Sequence, residues 1–437
     1  MSGASLADLA AAAREGTTAI YGLTRSFAAY AAARLVAAYP DDRLFIICPD
    51  EAAARQLSDD LRLFAPGSAV AALHIPAIDT SPYTDIHVDQ SALSSRMAAL
   101  FRLASGGGQL PAVTIISASS LLRRVIPPDQ LLALSQTFAD ERDVDRDEAA
   151  RALVAAGYAR APVVEDPGSF AVRGEVIDVF SPLYRYPVRI ELFGDTIESL
   201  RMFDPDTQRT LRRVAEVVVP PVRETVPTAG ADLRAKILAA ADAAHHPSRA
   251  TRRILEQIDG GEQFLGIESL TPAFHRELVP LWRCAAELPS ARWLLIDPDA
   301  IWAAVADELE VAEARFDSRM SDGRLAFPPE QHYVSRAELE QFLATAQPRI
   351  EARSIELAEP LAPEQLGGDA QLSALAARAE ATDTGDSADR LPPDQSDGMR
   401  FIVDDNRLLR AALDRARRHS ADELLKPLVA AIQRWRG

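Results

Sequence analysis

Short apolar runs alternate with helical patterns over the first third of the chain. Residues 18–21 read TAIY and residues 44–48 read LFIIC, and Pro49 ends the second run. Continuous apolar runs of this length are typical of strands that are buried on both faces. Two helical patterns and two more strand patterns follow the same alternation, at 27–38, 50–64, 70–75 and 113–117. This order predicts a parallel sheet covered by helices.

A period-two alternation begins near Phe138, where the composition changes. Gly, Pro and Asp separate four alternating segments, which cover 168–173, 175–180, 187–193 and 196–203. Alternation of this kind is typical of an antiparallel sheet with one exposed face. Helical patterns then return before an apolar run at 293–296, which Asp297-Pro298 ends. The sequence therefore predicts an α/β fold, in which a small α+β insertion interrupts a parallel-sheet domain that the returning chain completes.

These patterns divide the chain into five parts. Residues 354–398 contain ten acidic residues, two arginines and several prolines, which is typical of an acidic linker. Helical patterns resume after it, and Gly437 stands where a strand is expected, so we expect the last part to be the truncated start of another domain. We predict that the first part of the α/β domain covers 1–134, that the insertion covers 135–222 and that the returning part covers 223–353. The linker is then predicted at 354–398 and the truncated start of another domain at 399–437.

Composition narrows the classes of function. The 437 residues are 48% hydrophobic and 25% charged, as in globular proteins. No apolar run approaches the ~18 residues of a membrane span. The net charge of −17 disfavours binding to phosphate polymers. The two cysteines, Cys48 and Cys284, have no partner at ligand spacing, which predicts a cytoplasmic protein without structural zinc.

One loop has the position of a nucleotide site. Gly22-Leu23-Thr24-Arg25-Ser26 connects a predicted strand to a helix, where a P-loop would bind phosphates through backbone N–H groups. A working P-loop needs a second glycine and a lysine, and both are missing. We therefore predict an ordinary turn and no cofactor. The 7 histidines lack the spacing of metal ligands, and no Ser/His/Asp setting is visible, so we also predict no metal and no catalytic residue.

Arginine and phenylalanine recur on the predicted strands of the insertion. Arg189, Glu191 and Phe193 share one strand face by the period of two, and Arg173 lies at the neighbouring bend. Two exposed arginines and a phenylalanine would form a docking patch, because arginine and aromatic residues dominate interface energetics. Alternatively, Phe193 belongs to the core and the arginines form surface ion pairs with Glu191 or Asp178. The pattern alone favours this second interpretation.

The stretch 157–210 resembles the UvrA-binding domain that the excinuclease subunit UvrB shares with the bacterial transcription-repair coupling factors. The matching motifs are Tyr158, Pro167-Gly168, Phe170, Arg173-Gly174, Ile177-Asp178-Val179-Phe180, Arg189-Ile190-Glu191-Leu192-Phe193, Phe203-Asp204 and Gln208-Arg209. The resemblance covers most of residues 15–345. Outside the insertion it rests on segments that are similar to the coupling factors, at 78–96, 266–272, 295–298 and 327–329, and the last helix from 424 resembles the opening of their next domain.

Two departures separate the chain from UvrB and favour the coupling factors. UvrB has an intact P-loop and an aromatic-rich hairpin that inserts between DNA strands. In this chain the loop is degenerate, and the segment 81–90 is short, with Tyr83 its only aromatic residue. The resemblance therefore implies an N-terminal, UvrB-like module: a degenerate P-loop, RecA-like domain interrupted by a UvrA-binding domain.

The resemblance implies an adaptor without catalysis of its own, which recruits UvrA to stalled transcription complexes for nucleotide excision repair. Matched residue by residue, it assigns the UvrA contact to Arg173, Arg189 and Phe193. In the complete family member, other regions bind RNA polymerase and drive ATP-dependent translocation on double-stranded DNA. Two alternatives stay open: a truncated excinuclease-type NTPase subunit that retains ATP binding, and direct DNA binding, by either of two arginine clusters, Arg123-Arg124 and Arg249, Arg252 and Arg253.

Overall fold

The computed structural model describes residues 16–21, 25–64, 72–106, 111–285, 290–353 and 399–400. The predicted acidic linker and the terminal helices lie outside the described residues, as do residues 22–24 of the predicted turn. Within the described part of the chain, no helix is long and apolar enough to cross a membrane.

The elements follow the predicted alternation. The first part contains β1 (Thr17–Tyr21), α1 (Arg25–Ala38), β2 (Arg43–Cys48), α2 (Glu51–Phe64), β3 (Ala72–Ile75), α3 (Gln90–Ser105), β4 (Val113–Ser117), α4 (Ala118–Leu122) and α5 (Pro128–Leu134). The insertion contains β5 (Gln136–Ala139), α6 (Arg146–Ala155), β6 (Ala159–Arg160), β7 (Ser169–Arg173), β8 (Val176–Val179), β9 (Val188–Phe193), β10 (Thr196–Phe203), β11 (Thr210–Val214) and β12 (Glu216–Val219). The returning part contains α7 (Leu233–Ala243), α8 (Ser248–Asp259), α9 (Thr271–Phe274), β13 (Ala291–Ile296), α10 (Pro298–Ser321), α11 (Pro329–His332), α12 (Arg336–Thr345) and β14 (Arg349–Arg353). A short strand, β15 (Met399–Arg400), follows at the start of the last predicted part.

The parallel sheet has seven strands in the order β15-β1-β14-β13-β2-β4-β3, and all of its recorded pairs are parallel. Alternate residues of β2 enter two different cores: Phe45 and Ile47 pack in one, and Leu44 and Ile46 in the other. Because successive side chains of a strand point to opposite faces, the sheet is covered on both sides. The predicted parallel α/β domain is confirmed.

One interior strand of this sheet lacks an apolar pattern. The strand β14, with the sequence RIEAR, lies between β1 and β13. Its Ile350 and Ala352 are buried in the core. Its charged side chains pair with each other: Glu351 lies 3.1 Å from Nε of Arg349 and 2.8 Å from Nη2 of Arg353. Mutual ion pairing of alternate residues therefore lets a charged segment occupy the middle of a parallel sheet, which the sequence pattern does not predict.

The insertion forms a second, separate sheet. Its six strands have the order β11-β10-β9-β8-β7-β6, and the pairs are antiparallel except for β6 with β7. Helix α6 buries Ala149 and Leu153 against one face of this sheet. The strands β5 and β12 pair with each other where the chain enters and leaves the insertion. The predicted antiparallel sheet is confirmed, and the boundaries of the five parts stay predictions.

Glu224 connects the end of the insertion to the parallel-sheet domain. Its carboxylate lies 3.5 Å from Nε of Arg96, a side chain of α3 that is 1% exposed. Arg96 also donates to the carbonyl oxygen of Pro76 at 2.8 Å and to the hydroxyl of Ser120 at 2.6 Å. His275 donates from Nε2 to the carbonyl oxygen of Glu224 at 2.6 Å. These buried contacts hold the returning chain against the carboxyl ends of β3 and β4.

Candidate docking site on the inserted domain

One face of the insertion's sheet packs in the core that α6 covers, and the opposite, outer face is partly exposed. Along β9 the burial alternates strictly: the first, third and fifth residues are buried, whereas Arg189, Glu191 and Phe193 are not. The buried set packs in the core that α6 covers. Arg189, Glu191 and Phe193 therefore share the outer face, as the period of two predicts.

Strand pairing brings more charged side chains to this outer face. In one row across the sheet, Arg173 of β7 lies in line with Glu191 of β9. In the next row, Asp178 of β8 pairs with Arg189, and Arg189 pairs with Arg201 of β10. Residues that are directly paired across strands project on the same side of a sheet. Over β7 to β10, the outer face thus combines these three arginines with two carboxylates.

Asp178 is the centre of this cluster, and its side chain is only 1% exposed. Its Oδ1 accepts a hydrogen bond from Nε of Arg189 at 2.7 Å, and its Oδ2 accepts one from Nη2 of Arg189 at 2.9 Å. The same Oδ2 accepts a third hydrogen bond from Nη2 of Arg173. This bonding to Asp178 raises the pKa of Arg189 above its ordinary value. One buried carboxylate therefore holds two guanidinium groups side by side.

Arg189 is further restrained by β10 and the turn that follows it. Its guanidinium carbon lies 4.5 Å from the centre of the Phe203 ring, a cation–π distance. Its Nη2 also donates to Oε1 of Gln208 at 3.2 Å. Gln208 has a φ of 58° and its amide donates to the carbonyl oxygen of Pro205 at 2.8 Å, so the turn itself fixes this acceptor. Arg189 is 21% exposed, which makes it a largely fixed part of the face.

Phe193 stands at the tip of the β9–β10 hairpin. It pairs with Thr196 across the two-residue turn Gly194-Asp195, and the φ of 61° at Gly194 is a left-handed conformation that favours glycine. The Phe193 side chain is 80% exposed, whereas the neighbouring Leu192 is 5% exposed in the core. A phenylalanine that remains this exposed beside a charged cluster is typical of a protein-binding anchor.

A second ion pair extends the face toward the β10 side. Glu191 accepts a hydrogen bond from the Ser199 hydroxyl at 2.6 Å, and its Oε2 lies 3.0 Å from Nη2 of Arg201. Arg201 is 42% exposed, similar to the 48% of Arg173. Sequence reasoning missed Arg201, because its face depends on a β-bulge between Ile197 and Ser199 that one strand's pattern does not reveal.

The face has the chemistry of a surface for acidic protein groups. Arg173 and Arg201 are half exposed, and the hydrogen bond from Arg173 to Asp178 uses only its Nη2. Their remaining N–H groups can form charge-assisted hydrogen bonds with carboxylates of a partner. Phe193 offers an apolar ring for a pocket.

The structure brings Arg173, Arg189 and Phe193 together on one face. The alternative in which Phe193 belongs to the core is wrong, because its ring points away from the core that contains Leu192. The ion pairing with Asp178 in that alternative is present, but Asp178 is buried and not a surface partner. A contact of these three residues with UvrA stays a prediction.

The two arginine clusters that the sequence offers for DNA binding are less distinctive than this face. Arg123 is buried and donates to the hydroxyl of Tyr333 at 3.1 Å, and Nη2 of Arg124 donates to both carboxylate oxygens of Glu338 at 2.8 and 2.9 Å. This cluster is thus engaged within the fold. The second cluster, of Arg249, Arg252 and Arg253, is exposed on α8. Among the described residues, no group of His, Cys, Asp and Glu could hold a metal ion.

Comparison with known proteins supports the sequence resemblance. Residues 137–224 match the family model of the UvrB interaction domain. The transcription-repair-coupling factor of Myxococcus xanthus is 37% identical over 308 residues, which is 67% of this chain and 25% of the relative. That of Escherichia coli is 28% identical over 319 residues, which is 73% of this chain and 27% of the relative.

A protein of the UvrABC system is also similar. The UvrABC system protein B of Chlorobaculum tepidum is 29% identical over 188 residues, 40% of this chain and 27% of that protein. The chain spans about a quarter of the length of the curated relatives that it matches. With the parallel sheet and the matched insertion, these similarities identify the chain as an N-terminal, UvrB-like module of the transcription-repair-coupling-factor family.

Proposed function

We propose that the chain is a docking module of transcription-coupled nucleotide excision repair, which recruits UvrA to stalled transcription complexes in the cytoplasm and has no catalysis of its own. The observation that carries the proposal is the outer face of the UvrB interaction domain. There Phe193 is 80% exposed beside a pair of arginines held by Asp178. The chain is similar both to transcription-repair-coupling factors and to a UvrABC system protein B, so a partner that the two families share is the simplest reason for this likeness.

The geometry supports a protein partner with acidic groups. Arginine and aromatic side chains carry much of the energy at interfaces, and a prefixed guanidinium loses little entropy when it binds a carboxylate. We therefore propose that UvrA presents carboxylates to Arg173 and Arg189, and an apolar pocket to Phe193. RNA polymerase and double-stranded DNA are partners that we assign to regions of the complete protein beyond this part.

The absence of catalysis is also part of the proposal. The turn at 22–26 lacks the second glycine and the lysine of a P-loop. At the carboxyl ends of the neighbouring strands, where α/β proteins bind ligands, Glu51 accepts hydrogen bonds from the amide of Ala77 and the hydroxyl of Ser117, both at 3.1 Å. This carboxylate is thus occupied by the fold. We expect ATP with Mg²⁺ to leave the melting temperature unchanged, and micromolar ATP binding in calorimetry would contradict this part.

The docking proposal is tested by the affinity of the chain for cognate UvrA. We expect Phe193→Ala to weaken binding at least about 30-fold, since truncation of a hot-spot residue costs roughly 2 kcal/mol or more. Leu211→Ala is the matched control, because Leu211 is a 48% exposed apolar side chain on the edge strand β11. The control should bind like the wild type. Absence of UvrA binding by the wild-type chain, or equal losses in both variants, would overturn the proposal.

A further inference from the structure

We propose that Asp178 is the positioning residue of the docking face: it does not touch the partner, but it holds Arg173 and Arg189 as a fixed pair for the partner's carboxylates. The inference rests on the proposed function and deepens it. Its structural basis is the juxtaposition of one carboxylate, 1% exposed, with two guanidinium groups that reach it from the strands on either side.

Burial excludes Asp178 from direct contact with a large partner. The residue is nevertheless on the outer face, because it pairs with Arg189 on one side and Ala171 on the other. The arginine side chains lie over it, and they are 48% and 21% exposed. A buried carboxylate needs compensating donors, and here three guanidinium N–H groups supply them. The carboxylate and the arginines therefore order one another.

The two arginines are held differently. Arg189 donates to both carboxylate oxygens through Nε and Nη2, and its Nη1 takes part in neither bond. Arg173 is tethered by Nη2 to the oxygen that Arg189 also uses, so the two guanidinium groups meet at Oδ2. Without the carboxylate between them, two like charges would repel and each long side chain would regain its rotamer freedom. Preorganisation of this kind raises affinity by reducing what binding must order.

The two carboxylates of this face differ in their exposure, which also fits the inference. Glu191 forms an ion pair with Arg201, as Asp178 does with Arg173 and Arg189, but the Glu191 side chain is 27% exposed and accessible to a partner. Asp178 is thus the carboxylate that can act only through other residues. Its substitution should change affinity only while the arginines are present.

A double-mutant cycle tests this dependence. Asp178→Asn keeps the shape of the side chain, removes its charge and offers one acceptor instead of two. We expect it to weaken the affinity for UvrA about 10-fold or more, the effect of losing a charge-assisted hydrogen bond. In the background Arg173→Ala/Arg189→Ala, the same change should have no further effect on affinity. Asp42→Asn is the matched control, since Asp42 is a 17% exposed carboxylate that accepts a hydrogen bond from Arg292 in the parallel-sheet domain.

The outcomes separate this inference from the proposed function. If the wild-type chain does not bind UvrA, the proposed function fails and the inference fails with it. If the wild type binds but Asp178→Asn binds equally well, only the inference is overturned. Equal losses from Asp178→Asn with and without the two arginines would also overturn it, because a residue that acts through the arginines cannot act after they are removed.

A second measurement uses the wild-type chain, so it does not depend on whether a variant folds. In the wild-type chain, the Nε–H of Arg189 should exchange with solvent much more slowly in NMR than that of Arg212, which is exposed on β11. Addition of UvrA should shift the guanidinium resonances of Arg173 and Arg189 together. Exchange of Arg189 as fast as that of Arg212, or a shift of one arginine alone, would contradict a pair held by Asp178.

Discussion

Replacing Arg189 by alanine should remove two of the three guanidinium hydrogen bonds that stabilise the buried carboxylate of Asp178. The wild-type side chain donates to both oxygens of Asp178, at 2.7 and 2.9 Å, and stacks 4.5 Å from the centre of the Phe203 ring. Asp178 is 1% exposed, so the variant leaves its carboxylate with the single hydrogen bond from Arg173. Arg173→Ala, in contrast, removes one hydrogen bond of a side chain that is 48% exposed and leaves the bidentate pair intact.

The expected magnitudes follow from this difference in burial. Loss of one partner from a fully buried ion pair costs about 3–5 kcal/mol of folding stability. Arg189 is partly exposed and Arg173 remains, so we expect Arg189→Ala to cost about 2 kcal/mol, the size of a hydrogen bond to a charged group. Truncation of an exposed ion-pair arginine costs about 0–1 kcal/mol, and Arg173→Ala should lie in this range.

The assay must report on the insertion itself. All 4 tryptophans lie outside residues 137–224, so tryptophan fluorescence would follow other parts of the chain. Amide hydrogen exchange of peptides from β8 and β9, read by mass spectrometry, measures local opening. A loss of about 2 kcal/mol corresponds to exchange about 30-fold faster.

Arg189→Lys is the matched control for this measurement. Lysine keeps the positive charge but lacks the planar fork that bonds both carboxylate oxygens, so its effect should be intermediate. Equal exchange rates for Arg189→Ala and Arg173→Ala in these two strands would refute the reasoning, because they would mean that the bidentate pair contributes no more than the exposed one.

Two further predictions concern stability in urea. Leu192→Ala leaves a cavity in the core and should lower the free energy of unfolding by about 2–5 kcal/mol. Phe193 is 80% exposed, so little of its ring leaves water on folding, and Phe193→Ala should lower that free energy by at most about 1 kcal/mol. Equal losses of stability in the two variants would contradict a sheet with one core face and one outer face. Burial lowers the pKa of His275 to about 4, below the roughly 6.5 of an unfolded histidine, so the unfolded chain takes up a proton first as the pH falls. The contribution of neutral His275 to the free energy of unfolding should be complete above about pH 6.5 and should decrease toward pH 4 by up to about 1.4 kcal/mol per pH unit. If His275→Gln shows the same dependence of stability on pH as the wild type, this prediction is wrong.

Local pattern was sufficient for most elements of the fold. The run LFIIC predicted a strand buried on both faces, and β2 has that environment, because an apolar run loses contact with water wherever neighbours cover it. The interior strand β14 could not be predicted in this way. Its sequence RIEAR becomes compatible with the sheet only through the pairing of Glu351 with two arginines, which requires the folded strand.

The sequence also determined part of the docking face. Alternation along β9 is a local property, so it placed Arg189 and Phe193 on one side of the strand before any partner strand was known. It did not determine which side is the core, and the pattern favoured burial of Phe193. A shift of one residue in register turns every side chain to the opposite face, so the choice belongs to the whole sheet and not to one strand.

Only the tertiary structure decided which residues lie on the outer face. The pairing of β9 with β10 shifts between Ile197 and Ser199, and this bulge places Arg201 and the buried ring of Phe203 on the outer face. A regular period of two from Ile197 would have directed both into the core, and Arg189 would have lost the ring on which it stacks. A bulge exists only relative to the strand beside it. The sequence therefore determined the strand β9 and its alternation, whereas the pairing of distant strands decided which charges surround Asp178.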